Sequence, residues 1–485
     1  MKLSHFLASA LLAGSLSAVA DDDLTPQQIA RHPAVQGAAS LYGAWLEGRR
    51  FYDEVPGIAA GIVYDQQLIW TGNYGYSNVG TQRPMDSDTI FSICSISKLF
   101  TSIGIMQLRD AGKLRLSDPV AEHLDWYDIE QAHEESAAVT IQSLLTHSSG
   151  LPRESDFNYW VGPDFPFPTR AAMIEQLGQQ ETLYPASTYY QYSNLALTLA
   201  GEIVQSVSGE DYADYVREQI LDPLELADTR SFYPEELRGE QLAIGYRGHH
   251  REGSGGEVKP FFARGITAAA GFTSTVNDLA RFAMWQFRLL DNSDDAVLAS
   301  NTLREMQRVH WVDPDWETTW GLGFNVFQED AMTVVGHGGG CPGYITQFLM
   351  NPKDRIAVVV LTNAGDGEAY DLALGGIKLM TAAIGDISEI PTDTPDYSAY
   401  EGSYEGKPWG DEVAIRQAGD YLLVVSAHGS SLDGDVTRLE HQDGDTFVRL
   451  TDDGEPREPW TFLMGDDGKA RALRAHSSES TRVEF

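Results

Sequence analysis

The feature that most constrains the fold is a change of pattern near residue 386. Upstream, from 25 to 385, helical patterns alternate with short apolar runs such as Ile58–Tyr64 and Ile356–Thr362. Strands mixed with longer helical segments indicate an α/β or α+β domain. Asp386–Ser398 (DISEIPTDTPDYS) is polar, carries two prolines and reads as a linker. Beyond it the apolar runs are short and separated by Gly and Asp: Tyr421–Val425, Phe447–Leu450, Trp460–Met464 and Ala470–Arg474. Asp466-Asp467-Gly468 is a turn between the last two. That spacing predicts a small antiparallel β barrel or sandwich. Nothing in this tail has a catalytic pattern.

The first twenty residues read as a secretory signal peptide. Lys2 gives the positive start, Phe6–Leu16 the apolar stretch, and Ala18-Val19-Ala20 the small-x-small pattern before Asp21-Asp22-Asp23. The apolar stretch is shorter than the ~20 residues of a membrane span, and no later run resembles one. Export to the periplasm or medium is therefore expected, with no integral membrane segment after cleavage. The 71 acidic and 34 basic residues give a net charge of −37, which would repel nucleic acid and anionic membranes. An oxidising compartment lets cysteines bond, and each of Cys94 and Cys341 has only the other as a partner within the chain.

Three short motifs could carry chemistry. Ser95-Ile96-Ser97-Lys98 opens a segment in which Ile96, Leu99, Phe100, Ile103 and Met106 fall on one helical face, ending near Gly112-Lys113. A Lys three residues after a Ser is its neighbour on a helix, and partial desolvation lowers its pKa enough to take the hydroxyl proton. The same spacing also occurs in ordinary amphipathic helices. Tyr192-Ser193-Asn194 precedes another helical run; its phenol suits proton relay and its amide suits a substrate carbonyl. Tyr76-Ser77-Asn78 has the same letters but sits in a Gly-rich, hairpin-like stretch and is read as structural. His337-Gly338-Gly339-Gly340 follows the strand-like Met332–Val335; glycines there admit close backbone approach and offer N–H groups to an oxyanion. Gly-x-Ser-x-Gly, His-Glu-x-x-His and P-loop patterns are absent, and His249-His250 lacks further ligands nearby. No metal or cofactor is expected.

The order Ser-x-x-Lys, Tyr-x-Asn, His-x-Gly resembles the serine β-lactamase and penicillin-binding-protein superfamily, in particular its class C β-lactamase-related branch. Leu144–Pro152, Tyr192–Gly201, Ala270–Leu279 and Gly336–Gly343 carry the same likeness. The resemblance implies an antiparallel sheet flanked by helices plus an all-helical subdomain over 21–388, and a lipocalin-like β domain over 389–485. It implies Ser95 as acylated nucleophile, Lys98 as its base and Tyr192 as proton carrier. Asn194, His337, Gly339 and Gly340 become substrate-binding residues, with the N–H groups of Ser95 and Gly340 as the oxyanion hole. The expected partner is a small-molecule or peptide substrate.

His337 departs from the pattern of β-lactam specialists, which usually have Lys there. An imidazole is a weaker, pH-dependent anchor for a substrate carboxylate. Ester or peptide hydrolysis is therefore expected over β-lactam turnover, the alternatives being a β-lactamase and a non-catalytic penicillin-binding or peptidoglycan-fragment sensor. Cys94, directly before the Ser, and Cys341, four residues after His337, resemble the bonded pair of some class A carbapenem-hydrolysing β-lactamases, which implies a Cys94–Cys341 disulfide. Phe157, Tyr159, Trp160, Phe165 and Phe167 give residues 153–170 the composition of a lid or acyl pocket, or of a loop packed on the core.

Overall fold

The computed structural model describes residues 24–248, 256–294, 296–432, 436–451 and 453–483. The signal peptide and His249-His250 lie outside the described residues. Among the described residues, nine strands form one antiparallel sheet and eight more close into a barrel.

The centre of the sheet explains its sequence. Strand β1 (Gly57–Tyr64) pairs on one side with β2 (Gln67–Asn78) and on the other with Ile356–Thr362. Both Gly57–Tyr64 and Ile356–Thr362 are buried along their whole length. Ala59, Val63, Ala357, Val359 and Leu361 enter one core, and Ile58, Ala60, Ile62, Ile356, Val358 and Val360 enter another. Because successive side chains alternate faces, a strand covered on both sides must be apolar at every position.

One cover is α1 (Pro33–Tyr52) together with the helix Ala369–Gly385. The other is the helical region between the short strand β3 (Phe91–Cys94) and the sheet's second half. It contains α2 (Ser97–Asp110), α3 (Asn194–Ser208) and α4 (Val276–Leu290). The apolar face predicted for α2 is only part of its buried surface. Ser97, Lys98, Thr101 and Ser102 are buried as well, so the helix is enclosed on most sides.

The second half of the sheet is built from β4 (Met332–Cys341), β5 (Tyr344–Asn351) and β6 (Ile356–Thr362). His337 and the glycines after it belong to β4 itself, whereas the sequence placed the strand only at Met332–Val335. After the helix ending at Gly385, the chain reaches the barrel at Gly402. The barrel closes where Gly402–Glu405 meets Ser478–Val483, with Ser403 opposite Val483. Three of the four runs read from the sequence form strands at their expected places, and Trp460–Met464 begins earlier, at Pro456. α1 holds the barrel to the sheet. A Cβ at Gly37 would collide with the Gln417 carbonyl and Ala418, so glycine is what lets helix and barrel touch. Trp45 Nε1 donates to the Gly429 carbonyl at 2.9 Å and Arg49 to that of His428 at 3.2 Å.

Candidate active site

Ser95 lies in the turn between β3 and α2, at the edge of the helical region. Cys94, just before it, has φ of +50°, in the left-handed region that side chains disfavour. Several bonds hold that conformation. Cys94 is disulfide-bonded to Cys341 at the end of β4, with a Cα–Cα distance of 5.9 Å. The Ser97 hydroxyl donates to the Cys94 carbonyl and accepts from the Phe272 N–H at 3.0 Å. Gly339 also faces β3; a Cβ there would collide with the Ile93 carbonyl and Thr346 Oγ1. The three-glycine run thus lets β4 lie against the strand that delivers Ser95.

Lys98, the second residue of α2, is fully buried. Its Nζ lies 3.0 Å from Ser95 Oγ, 2.7 Å from Asn194 Oδ1 and 2.8 Å from the Ala269 carbonyl. Burial pushes the ammonium well below its usual range; the Glu154 charge opposes this and the Arg153 charge adds to it. When deprotonated, the amine has two protons and one lone pair. The Asn194 and Ala269 oxygens only accept, so they take the two protons. The lone pair then faces Ser95, whose hydroxyl donates to it. That is the geometry required of a base for Ser95.

Asn194 opens α3, whose N-cap Ser193 accepts from the Ala196 N–H at 2.9 Å. Its amide nitrogen donates to Glu154 Oε1 at 2.6 Å. Both ends of the amide are therefore engaged by protein groups, and its contact is with Lys98 where the sequence assigned it to substrate. Tyr192 is half-buried beside Lys98, with Nζ 4.9 Å from its ring centroid and the Arg153 guanidinium also 4.9 Å away. Burial raises its phenol well above the usual range, while a hydrogen bond with Ser95 and the Arg153 charge pull it back. Tyr192 remains protonated at neutral pH.

His337 requires a correction. It is buried, 5.6 Å from Trp320 and 6.2 Å from Tyr192 by ring centroids. Burial, and secondarily the positive charge Lys98 carries when protonated, push its pKa down to about 3. It is neutral near neutral pH, so it presents no cation to a substrate carboxylate, and the pH dependence expected of a free imidazole is absent there. Its Nδ1 lies 2.6 Å from the Gly338 carbonyl, which only accepts, so Nδ1 carries the proton and Nε2 keeps a lone pair.

His147 was not singled out by the sequence, although the stretch Leu144–Pro152 contains it. It is fully buried, its ring tilted against Tyr192 at 4.3 Å between centroids, and its Nδ1 accepts from the Ser193 N–H at 3.1 Å. Its proton is therefore on Nε2. Glu154, Arg153, Trp320 and the Ala269 carbonyl were also missed. Arg153 and Glu154 open the 153–170 segment singled out for its aromatics, Ala269 directly precedes Ala270–Leu279, and no sequence signal pointed to Trp320. Of the remaining sequence-derived residues, Gly340 is exposed at the end of β4 and Tyr76–Asn78 form the end of β2, away from this cluster. The aromatic segment is packed inward: Tyr159 and Phe167 are buried, 4.9 Å apart, and Phe167 meets Phe261 at 5.8 Å. Among the described residues no group of His, Cys, Asp or Glu is placed to hold a metal ion, and no helix is long and apolar enough to cross a membrane.

A nine-stranded sheet with a helical region on one face, and a Ser, Lys, Tyr and Asn gathered at their junction, defines a class. A family model described as Beta-lactamase matches residues 46–378, and the chain belongs to that family of hydrolases. A second model, described as a domain of unknown function, matches 388–485. The chain is 26% identical over 333 residues to "Penicillin-binding protein 4" of Amycolatopsis lactamdurans, covering 67% of this chain and 85% of the relative. It is 28% identical over 300 residues to "Beta-lactamase-like protein 2" of Dictyostelium discoideum, covering 60% of this chain and 53% of the relative, so about half the length of that protein is spanned. The fold is similar to that of the octameric penicillin-binding protein homologue from Pyrococcus abyssi, with a TM-score of 0.63 at 24% identity, over 91% of this chain and 99% of that one.

Proposed function

We propose that this protein is an exported serine hydrolase acting through an acyl-enzyme at Ser95 on ester or (D-)peptide and amide substrates. The hydrolase domain spans 21–388 and the β domain 389–485. The observation that carries this reading is the fully buried Lys98 amine, its pKa lowered by burial and its Nζ within hydrogen-bond reach of Ser95 Oγ, Asn194 Oδ1 and the Ala269 carbonyl.

Lys98 takes the Ser95 proton as Oγ bonds to the substrate carbonyl carbon. The carbonyl oxygen gains the electron pair and is held by the N–H groups of Ser95 and Gly340. Collapse of this intermediate breaks the bond to the leaving group. The leaving group receives a proton from Tyr192, whose raised pKa keeps it protonated, and Tyr192 is recharged from Lys98. Water then adds to the acyl carbon, giving its proton to the same pair, and Ser95 Oγ leaves with a proton. Disulfide formation between Cys94 and Cys341 supports export.

The neutral His337 places no cation at the third motif, which favours esters and peptides over β-lactams. The test is kcat/KM for a short-chain aryl ester, a D-amino-acid peptide and a penicillin. A clear preference for either of the first two is expected; a clear preference for penicillin would reverse the order and identify a β-lactamase.

A further inference from the structure

The hydrogen-bond chain continues past Lys98 into groups that the roles above do not use. Asn194 Nδ2 donates to Glu154 Oε1 at 2.6 Å, and the Tyr159 hydroxyl donates to the second carboxylate oxygen. Arg153 Nε lies 3.5 Å from Oε1, and the Glu154 side chain is 19% exposed.

The two ends of the Asn194 amide have opposite consequences. With Oδ1 toward Lys98, the amide accepts an amine proton and the lone pair is left for Ser95. Turned over, its NH2 would donate to the amine; the lone pair would be taken up by Asn194, and Ser95 would lose its acceptor. A carboxylate only accepts, so it tolerates only the NH2 end of the amide. We propose that Glu154 is a positioning residue: it fixes the Asn194 amide and thereby aims the Lys98 lone pair at Ser95. This rests on Lys98 being the base for Ser95.

Glu154 is itself fixed. Burial and the Glu154 charge raise the Tyr159 phenol above its usual range, so it stays a donor to the carboxylate. Tyr159 is locked in the aromatic segment, 5.6 Å from Trp160 and 4.9 Å from Phe167. The loop with a lid-like composition therefore reaches the nucleophile through Tyr159, Glu154, Asn194 and Lys98 in turn.

The groups whose charges or protons face Lys98 are Glu154, Arg153, Tyr192, His147 and His337. Burial keeps both histidines neutral and Tyr192 protonated. Glu154 is thus the group whose charge favours the protonated amine. Removing that charge lets Lys98 lose its proton at lower pH.

The experiment compares the pH profiles of wild type, Glu154→Gln and Glu154→Leu on one aryl ester, with melting curves for each. Labelling of wild type at Ser95 by a fluorophosphonate is the control for the underlying reading. Glu154→Gln is expected to shift the acid limb of kcat/KM to lower pH. Glu154→Leu, which frees the amide to turn, is expected to lower kcat by roughly 10²-fold with little change in KM. An unmoved acid limb in Glu154→Gln, or activity losses in both variants that only follow lost thermal stability, would overturn the proposal while leaving a labelled Ser95 standing. A wild type that does not label would overturn both.

Discussion

The two domains bury different kinds of group. The sheet-and-helix domain encloses Lys98, His147, Asn194 and His337 within one region. Among the described residues, His147 Nε2, His337 Nε2 and Trp320 Nε1 have no hydrogen-bond partner in the protein. The barrel core is Tyr404, Ile415, Leu422, Val424, Leu439, Phe447, Phe462, Ala470 and Leu473. Its single hydroxyl, Tyr404, donates to the Tyr400 carbonyl at 2.7 Å. Burying polar groups without full pairing costs stability, and local conflicts of that kind collect where a chain does chemistry. Among the described residues the barrel has one such atom, Glu412 Oε1, at its seam with α1, where the other carboxylate oxygen accepts from the Tyr52 hydroxyl; its core residues have none. Its interior is filled by rings, with Tyr400 and Phe462 at 4.9 Å and Phe447 and Phe462 at 5.5 Å. The barrel is built for packing, and its link to the other domain runs through α1.

This contrast can be broken from either side. The largest expected effect is on activity. Lys98→Met replaces the buried amine by an apolar chain of similar length, and kcat/KM should fall by about 10³-fold. The melting temperature should stay within a few degrees of wild type, because a buried amine is itself costly and its loss offsets the two carbonyls left unpaired. A small loss of activity would remove the polar cluster from the chemistry.

Phe462→Ala should do the reverse. Truncating a ring in contact with Tyr400, Tyr404 and Phe447 should destabilise the barrel by about 3–5 kcal/mol, seen in denaturant melts, with kcat per folded molecule unchanged. A matching fall in kcat would show that the barrel shapes the site.

The smallest effect concerns His337. Its folded pKa of about 3 lies below the unfolded value, so its contribution to stability is full above roughly pH 6.5 and is lost as pH falls toward 3. His337→Asn should therefore lose less stability than wild type on acidification over that window. Equal acid sensitivity would mean the imidazole is not held neutral.

Much of this was legible in the sequence. Fully apolar runs marked the central strands because both faces are covered. Spaced apolar runs marked part of the barrel. Glu412–Ala418, Thr437–Asp443 and Ser478–Val483 went unread because their outward faces are polar; in Thr437–Asp443 only Leu439 is buried. Ser95, Lys98, Tyr192 and Asn194 were readable through the resemblance, and the structure brings them together. Glu154 and the Ala269 carbonyl were not. One is an ordinary loop carboxylate and the other a backbone atom, and only tertiary packing places them on Lys98. The neutrality of His337 was likewise invisible, because it depends on burial and not on residue type.

The most direct test of the central claim is intact mass after incubation with a fluorophosphonate, on wild type and on Ser95→Ala. A single adduct on wild type and none on the variant is the expected result. No adduct on either, from protein that melts cooperatively, would contradict an activated Ser95 and leave a binding protein in its place.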